Sequence, residues 1–314
     1  MRTLAIDIGG TKFSMAVFEN DAMVRRASRA TDREGGREWM LQQIVTLARD
    51  WQRELAFERC GIGFGGPVDF PSQRIALSTH VPGWRDFALA AHIEDALGIP
   101  SVMDNDANAG ALGEALHGAG AQDAGGPGAG GPGALRAGRT AGDAAAFPGC
   151  SPLFYMTLST GIGGGIIAAG RVWRGADSWA GEIGHLTIRP DGPACLCGAR
   201  GCFERLCGGL WLERDHGRPA RELLEDRGFV ARYVVDLALG LKACIMLLNP
   251  ARIVIGGGIS QAGDRLFGPL RAELRRQITG WSGARVDVVP AALGDASVLW
   301  GALALAREAT VQAR

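Results

Sequence analysis

Twice along its 314 residues the chain runs an apolar strand into a glycine turn and out through a second apolar strand: LAIDIGGTKFSMAVF at residues 4–18 and LFYMTLSTGIGGGIIAAG at residues 153–170. Glycine permits the backbone conformations that reverse a chain tightly, so each segment predicts a β-hairpin. The second mirrors the first, which predicts a duplicated architecture. After the first hairpin, Met40, Ile44, Leu47 and Trp51 recur at helical spacing over residues 37–51. A buried strand is then expected at CGIGFGGPVD (60–69), followed by a helix capped by Asp86 with Phe87, Leu89, Ile93 and Leu97 facing inward. The order ββ, α, β, α points to an α/β domain with helices on a mixed sheet.

Residues 118–149 interrupt this pattern with a stretch of mostly Gly, Ala and Pro that offers little to bury, and a flexible surface insertion is expected there. Beyond the second hairpin, residues 229–248 carry a helical pattern, RIVIGGGIS (252–260) reads as a strand ending in glycines, and the last twenty or so residues read as a closing helix.

Length and a 47% hydrophobic content allow two medium domains without help from disulfides. Lys+Arg and Asp+Glu both total 33, so no long-range field gathers a polyanion, and nucleic acid is an unlikely-class partner on charge grounds. No run of 18 apolar residues occurs and glycines interrupt the first apolar segment before signal-peptide length. A cytoplasmic protein with no membrane partner is expected.

Three glycine turns follow apolar strands: Gly9, Gly10, Thr11 and Lys12; Thr160, Gly161 and Gly163 with their neighbours; and Gly256, Gly257 and Gly258. Bare backbone N–H groups approach an anion closely, and the two threonines add hydroxyl donors. Singly, each turn has a purely geometric reading; three together favour a nucleotide. None fits the P-loop or the dinucleotide fingerprint. Asp7, at the end of the first strand, reads either as a turn cap or as the carboxylate that orders Mg²⁺ on ATP. Asp106 reads either as the N-cap of the Ala-rich helix after VMDN or as a general base for a hydroxyl attacking a phosphoryl group. Asn105, with a donor and an acceptor on one amide, suits sugar hydroxyls.

Of seven cysteines, Cys195, Cys197, Cys202 and Cys207 fall within thirteen residues. In a reducing compartment such a cluster reads as metal ligands. His185, Cys195, Cys197 and Cys202 suffice for a closed tetrahedral zinc site, which makes the zinc structural. Cys207 would be carried away by a helix starting near Glu204. Glu182 and Glu204 flank this loop, and read either as solvated charges or as acceptors for a polyol held toward one pocket, with His185 serving metal and ligand through its two nitrogens.

At DIGGTK (7–12), GGPVD (65–69), NDANAGALGE (105–114), STGIGGGII (159–167), GEIGH (181–185), CLCGARGCFE (195–204) and LNPARIVIGGGIS (248–260) the chain resembles the ROK family of sugar kinases and sugar-responsive repressors. The resemblance implies an actin-like (ribonuclease H-like) ATPase fold, with two α/β domains around a cleft that holds ATP, Mg²⁺ and sugar. It implies Asp106 as base, Asn105, Glu182, His185 and Glu204 on the sugar, and zinc on His185, Cys195, Cys197 and Cys202. By the same analogy the small domain spans 1–117 plus about 296–314 and the large domain 118–295, and a homodimer is expected. The segment between Glu204 and Asn249 is shorter than family habit, and the residues after Glu204 depart from it.

The leading expectation is an ATP-dependent hexose kinase acting on O6 of glucose. Alternatives are an N-acetylmannosamine or N-acetylglucosamine kinase, a fructokinase, or a sugar-sensing regulator without catalysis. Repressors of the family carry an N-terminal helix-turn-helix, and DIGGTK starting at residue 7 leaves no room for one.

Overall fold

The computed structural model describes residues 1–78, 81–121 and 152–312. Of the insertion expected at 118–149, residues 122–149 therefore lie outside the described residues. Elements run β1 (Arg2–Ile8), β2 (Lys12–Glu19), β3 (Ala22–Ala30), α1 (Gly36–Leu55), β4 (Arg59–Phe64), β5 (Val68–Asp69), β6 (Arg74–Ile75), α2 (Leu89–Leu97), β7 (Ser101–Asn105) and α3 (Asp106–His117). After the undescribed stretch come β8 (Leu153–Leu158), β9 (Ile162–Ala168), β10 (Arg171–Val172), the short helices α4 (Phe203–Cys207), α5 (Gly209–His216) and α6 (Ala220–Leu223), then α7 (Arg227–Leu248), β11 (Arg252–Gly256), α8 (Asp264–Gln277), β12 (Asp287–Pro290) and α9 (Ser297–Gln312).

The duplication is present. One sheet is ordered β3-β2-β1-β4-β7 and the other β10-β9-β8-β11-β12. In each, the central hairpin is antiparallel (β1 with β2, β8 with β9) and the next two strands are parallel to its first member. Residues alternate between the two faces of a strand, and both faces of these sheets are covered. Leu4, Ile6 and Ile8 of β1 pack with Met40 and Ile44 of α1, whereas Ala5 and Ala16 face α9 with Leu299, Ala302 and Leu303. In the second sheet, Phe154, Met156, Ile253 and Ile255 pack toward α7 and α8, and Leu153, Tyr155 and Val254 face α3. The layers are thus α1 and α2, first sheet, α9, α3, second sheet, α7 and α8.

The central pair is packed without room for a methyl group. A Cβ at Gly61 of β4 would clash with the Ala302 carbonyl of α9, one at Gly301 with the Ala109 carbonyl of α3, and one at Gly165 of β9 with the Ala107 carbonyl. Sheet, helix, helix and sheet meet through backbone contact. Glu114 of α3, fully buried, adds a polar tie: its carboxylate accepts the amides of Ala119, Ala292 and Leu293 and the Ser297 hydroxyl at 2.7–3.1 Å.

Two local expectations are corrected. Asp86 does not cap α2, whose N-cap is Ala88 with no side-chain bond. Asp86 sits at φ 53° and its carboxylate pairs with Arg74 at 2.6 Å. The chain from Trp84 to Phe87 first returns to pair with Ile75, whose amide donates to the Phe87 carbonyl, so the helix starts three residues later than Asp86. The edge strand β3 was not foreseen, because its sequence AMVRRASRA is arginine-rich and largely exposed. Among the described residues no helix is long and apolar enough to cross a membrane.

Gly301→Ala should destabilise the chain by about 1–3 kcal/mol or more, since the methyl group has to displace α3 backbone. Gly280→Ala, where nothing lies within 4 Å of the added carbon, should stay within about 0.5 kcal/mol. Urea unfolding of both variants measures the difference.

Candidate active site

The carboxyl ends of β1, β4, β7, β8 and β11 converge on one cavity of about 620 Å³. This is where open α/β sheets place ligands, because the glycine turns after the strands expose backbone amides there. Its wall holds Asp7, Asn105, Asp106, Glu182, His185 and Glu204, together with residues from all three glycine turns.

Asn105 and Asp106 divide between them the roles that were open on sequence. Asn105 is the N-cap of α3: its Oδ1 accepts the amides of Ala107 (2.9 Å) and Asn108 (3.3 Å), and its Nδ2 donates to the Gly66 carbonyl at 2.9 Å. One amide hydrogen is left for a ligand. Asp106 is the first helical residue, so its carboxylate is not spent on the cap; one oxygen accepts the Ala107 amide at 2.8 Å. Burial, and then the like charge of Asp7, push the Asp106 carboxyl up to about 7. Asp7 is also pushed up to about 7 by burial, with Lys12 and Arg26 pulling it back down. Two carboxylates that resist ionising beside each other form a place where a cation, or the proton of a substrate, is welcome.

The first glycine turn closes with the Gly9 amide donating to the Lys12 carbonyl at 3.0 Å. Gly9, Gly10, Thr11 and Lys12 line the cavity, as do Thr160, Gly161 and Gly163 of the second turn and Gly257 and Gly258 of the third. Gly256 stays inside β11, outside the lining, where any side chain would strike the Tyr155 hydroxyl. Lys12 reaches Asp295 at 3.5 Å, and Asp295 also pairs with Arg26 at 2.8 Å.

On the opposite wall, His185, Cys195, Cys197 and Cys202 bring their ligand atoms within 4.8 Å of one another. Backbone bridges Thr187 to Cys202 and Ala194 to Arg200 fold the loop back on itself. The Cys197 and Cys202 sulfurs are 3.6 Å apart, and Cys195 Sγ lies 3.9 Å from His185 Nδ1. A tetrahedron with metal–sulfur bonds of about 2.3 Å has edges of about 3.8 Å, so the donor set fits zinc in both chemistry and spacing. With Nδ1 turned to the thiols, the other ring nitrogen of His185 remains for the cavity. Cys207 is fully buried at the end of α4, with its hydroxyl-bonded neighbour Tyr233 on its carbonyl, and takes no part. Glu182 is raised by burial, with His185 pulling it back. Glu204 commits one oxygen to the Ile162 amide at 2.9 Å.

Several residues of the site have no counterpart among those singled out above. Trp179, Arg85 and Asp295 line the cavity. Behind it, Asp104, only 1% exposed, pairs with Arg174 at 2.6 Å. A charged residue inside the strand SVMDN was the available signal, since a buried carboxylate demands a partner.

The geometry agrees with the known proteins this chain is similar to. Glucokinase from Thermotoga maritima is 28% identical over 98% of both chains. The solved ROK hexokinase from Thermus thermophilus is 32% identical, with both chains fully covered and a TM-score of 0.76. A ROK family glucokinase from Streptomyces griseus, solved in complex with glucose and AMPPNP, is 26% identical over 98% of this chain and 100% of its own, with a TM-score of 0.79. These likenesses carry the actin-like ATPase fold, and the ROK family model matches residues 3–124 and 141–309. The chain belongs to the ROK family.

Proposed function

We propose that this chain is an ATP-dependent hexose kinase, with glucose O6 as the preferred acceptor. The observation that carries the reading is the pairing, across one cavity, of the half-buried Asp106 carboxylate, left out of the α3 cap, with three glycine turns on one side and a polar wall of Asn105, Glu182, His185 and Glu204 on the other. The complex of the Streptomyces griseus relative with glucose and AMPPNP supports it.

In this reading the sugar's hydroxyls are gripped by the free amide hydrogen of Asn105, by Glu182, by the free oxygen of Glu204 and by the ring nitrogen of His185. Asp106 accepts the proton of the attacking hydroxyl, and its raised pKa places it near the working pH, where a base is most effective. Backbone amides of the turns at 9–12, 160–163 and 257–258, with Lys12, hold the triphosphate and neutralise its charge. Magnesium, which Asp7 would order through water, supplies charge neutralisation on the phosphates. Zinc on His185, Cys195, Cys197 and Cys202 supplies a structural clamp that fixes the loop and aims His185 and Glu182. Two lobes, 1–117 with 296–314 and 118–295, would close over the sugar and exclude water that competes as acceptor. The homodimer rests on the family resemblance alone, and the cytoplasmic location on the apolar pattern of the sequence.

A coupled ADP-release assay over glucose, mannose, fructose, N-acetylglucosamine and N-acetylmannosamine should give turnover, fastest on glucose. No turnover on any of them by a folded, metal-loaded chain would leave sugar sensing as the better reading. Asp106→Asn should lower kcat by about 10²–10⁴-fold while sugar affinity by calorimetry holds.

The acid limb of kcat/KM should rise with pH through about 7, as Asp106 loses its proton. The stability of the free protein should run the other way. Asp7 and Asp106 bind protons more tightly folded than unfolded, so their contribution is full below the ordinary aspartate value of 3.8 and is lost as pH rises through about 7. Asp7→Asn should therefore raise the melting temperature at alkaline pH and lose that advantage in acid. A metal chelator strong enough to strip zinc should raise the sugar KM or melt the 185–202 loop; unchanged sugar affinity after verified metal loss would break the link between clamp and pocket.

A further inference from the structure

The kinase reading leaves unexplained a buried ion pair outside the cavity. Asp104 is the penultimate residue of β7, immediately before Asn105 and Asp106. Its carboxylate is satisfied on both oxygens: Oδ1 accepts the Asn105 amide at 2.8 Å and the Asn108 side-chain amide at 3.0 Å, while Oδ2 accepts Arg174 Nε at 2.8 Å, with Arg174 Nη2 at 2.6 Å. Three of these four contacts grip the start of α3 or come from across the molecule. Arg174 belongs to the other sheet. It follows β10, and its neighbour Trp173 is still bonded to the Ile166 carbonyl of β9 at 2.8 Å.

Arg174 is also seated over Phe70, its guanidinium carbon 3.5 Å from the ring centroid. Phe70 lies in the turn between β5 and β6, and that hairpin is fastened to the edge of β7 by Gln73, which both accepts the Met103 amide (2.6 Å) and donates to the Met103 carbonyl (3.1 Å). The Phe70 amide in turn donates to the Ser178 hydroxyl at 3.3 Å. Ser178 holds φ 64°, a left-handed conformation that is unfavourable for a residue other than glycine, so the surroundings impose it. The Ala180 amide closes the loop on the Arg174 carbonyl at 3.1 Å. Residues 174–180 therefore form a short closed loop clamped at Arg174 and Ser178 to the first sheet, and it leads directly into Glu182.

We propose that Arg174, through Asp104, is a positioning residue for the transfer reaction: it sets the distance between the strand end carrying Asn105 and Asp106 and the segment carrying Trp179 and Glu182, and so the width of the hexose pocket. This rests on the kinase reading. The pair touches neither substrate. It acts because Asp104 and the loop after Arg174 are each one or two short, hydrogen-bonded steps from groups on opposite walls, and a misplacement of about 1 Å at a reacting centre lowers rates by up to about 10²-fold. The nucleotide turns at 9–12 and 257–258 are not attached to this truss, so the effect falls on the sugar side.

The test compares Arg174→Lys, Asp104→Asn and the double variant with the wild-type chain, all metal-loaded, in steady-state assays that vary hexose and ATP separately. Arg174→Lys keeps the charge but loses the stacking on Phe70 and the Nε hydrogen bond to Asp104. Each single variant should raise the hexose KM and lower kcat by about 10- to 100-fold in combined kcat/KM for hexose, with the ATP KM within about twofold. The double variant should be no worse than the poorer single, as expected of residues acting as one unit. Equal shifts in the KM of ATP and hexose, unchanged kinetics, or loss of the folded state in Arg174→Lys as well as in Asp104→Asn would each overturn the proposal, the last by making the pair merely structural. If the wild-type chain is inert toward every hexose, the kinase reading falls and takes the proposal with it; if the wild type turns over and the variants match it, the proposal falls alone.

Discussion

The contact on which this molecule depends is between backbones. Helices α3 and α9 lie against each other and against one sheet apiece at a distance that only glycine at 61, 165 and 301 permits. Because no side chain cushions these contacts, the helix carrying Asp106 has little freedom to slide, tilt or rotate relative to either sheet. Alanine at Ala107, Ala109 and Ala111, all fully buried, continues the same logic on α3 itself. The proposed role of Asp106 as a general base needs placement to within a fraction of an ångström, which the stacking of main chains favours, with the Glu114 carboxylate tying the far end of the helix to the 292–297 segment.

Within this rigid frame the chemistry is set by crowding of charge. Asp7 lies in β1 and Asp106 opens α3 directly after β7, two strands joined through β4 in one sheet, and both residues line the cavity. Each resists ionisation because water is scarce there. Lys12 is close enough to moderate Asp7, yet it is itself partly engaged by Asp295, so the cavity keeps two acids beside each other and a cation at the first glycine turn. Polar groups that would be a liability in a solid core are tolerable because they are arranged around a space made for a charged ligand.

Much of this is legible in the sequence, for reasons that differ by element. The two hairpins and the helix at 227–248 are readable because a long apolar period or a glycine turn leaves little else for the chain to do. The thiol cluster is readable because ligand identity and spacing are local: His185 to Cys202 span eighteen residues, and no distant contact is needed to recognise them. Asn105 and Asp106 sit at the limit of legibility. By composition Asp106 could cap the helix, and only the hydrogen bonds of Asn105 show that the cap is Asn105 and that the Asp106 carboxylate is left out of it. Asp86 fails as a cap because a distant arginine, Arg74, competes for it, and β3 is not legible as a strand because its pairing with β2 compensates for a sequence with few apolar residues. Arg174 and Asp104 are separated by 70 residues, and nothing in either neighbourhood names the other.

The bond from the Ile162 amide to Glu204 spans the two halves of the cavity. Glu204 stands at the start of the helix that leaves the thiol loop, and Ile162 opens β9 directly after Thr160 and Gly161 of the second glycine turn. In the proposed kinase, a ligand that draws on the remaining oxygen of Glu204 would act on the order of that turn, and an anion seated on the turn would act on the freedom of Glu204. Free energy exchanged through one such bond is reciprocal by necessity, so whatever one occupant of the cavity gains from the other's presence, the other gains equally. Binding order in this protein is then a matter of rates, while the affinity of the filled site belongs to both occupants together.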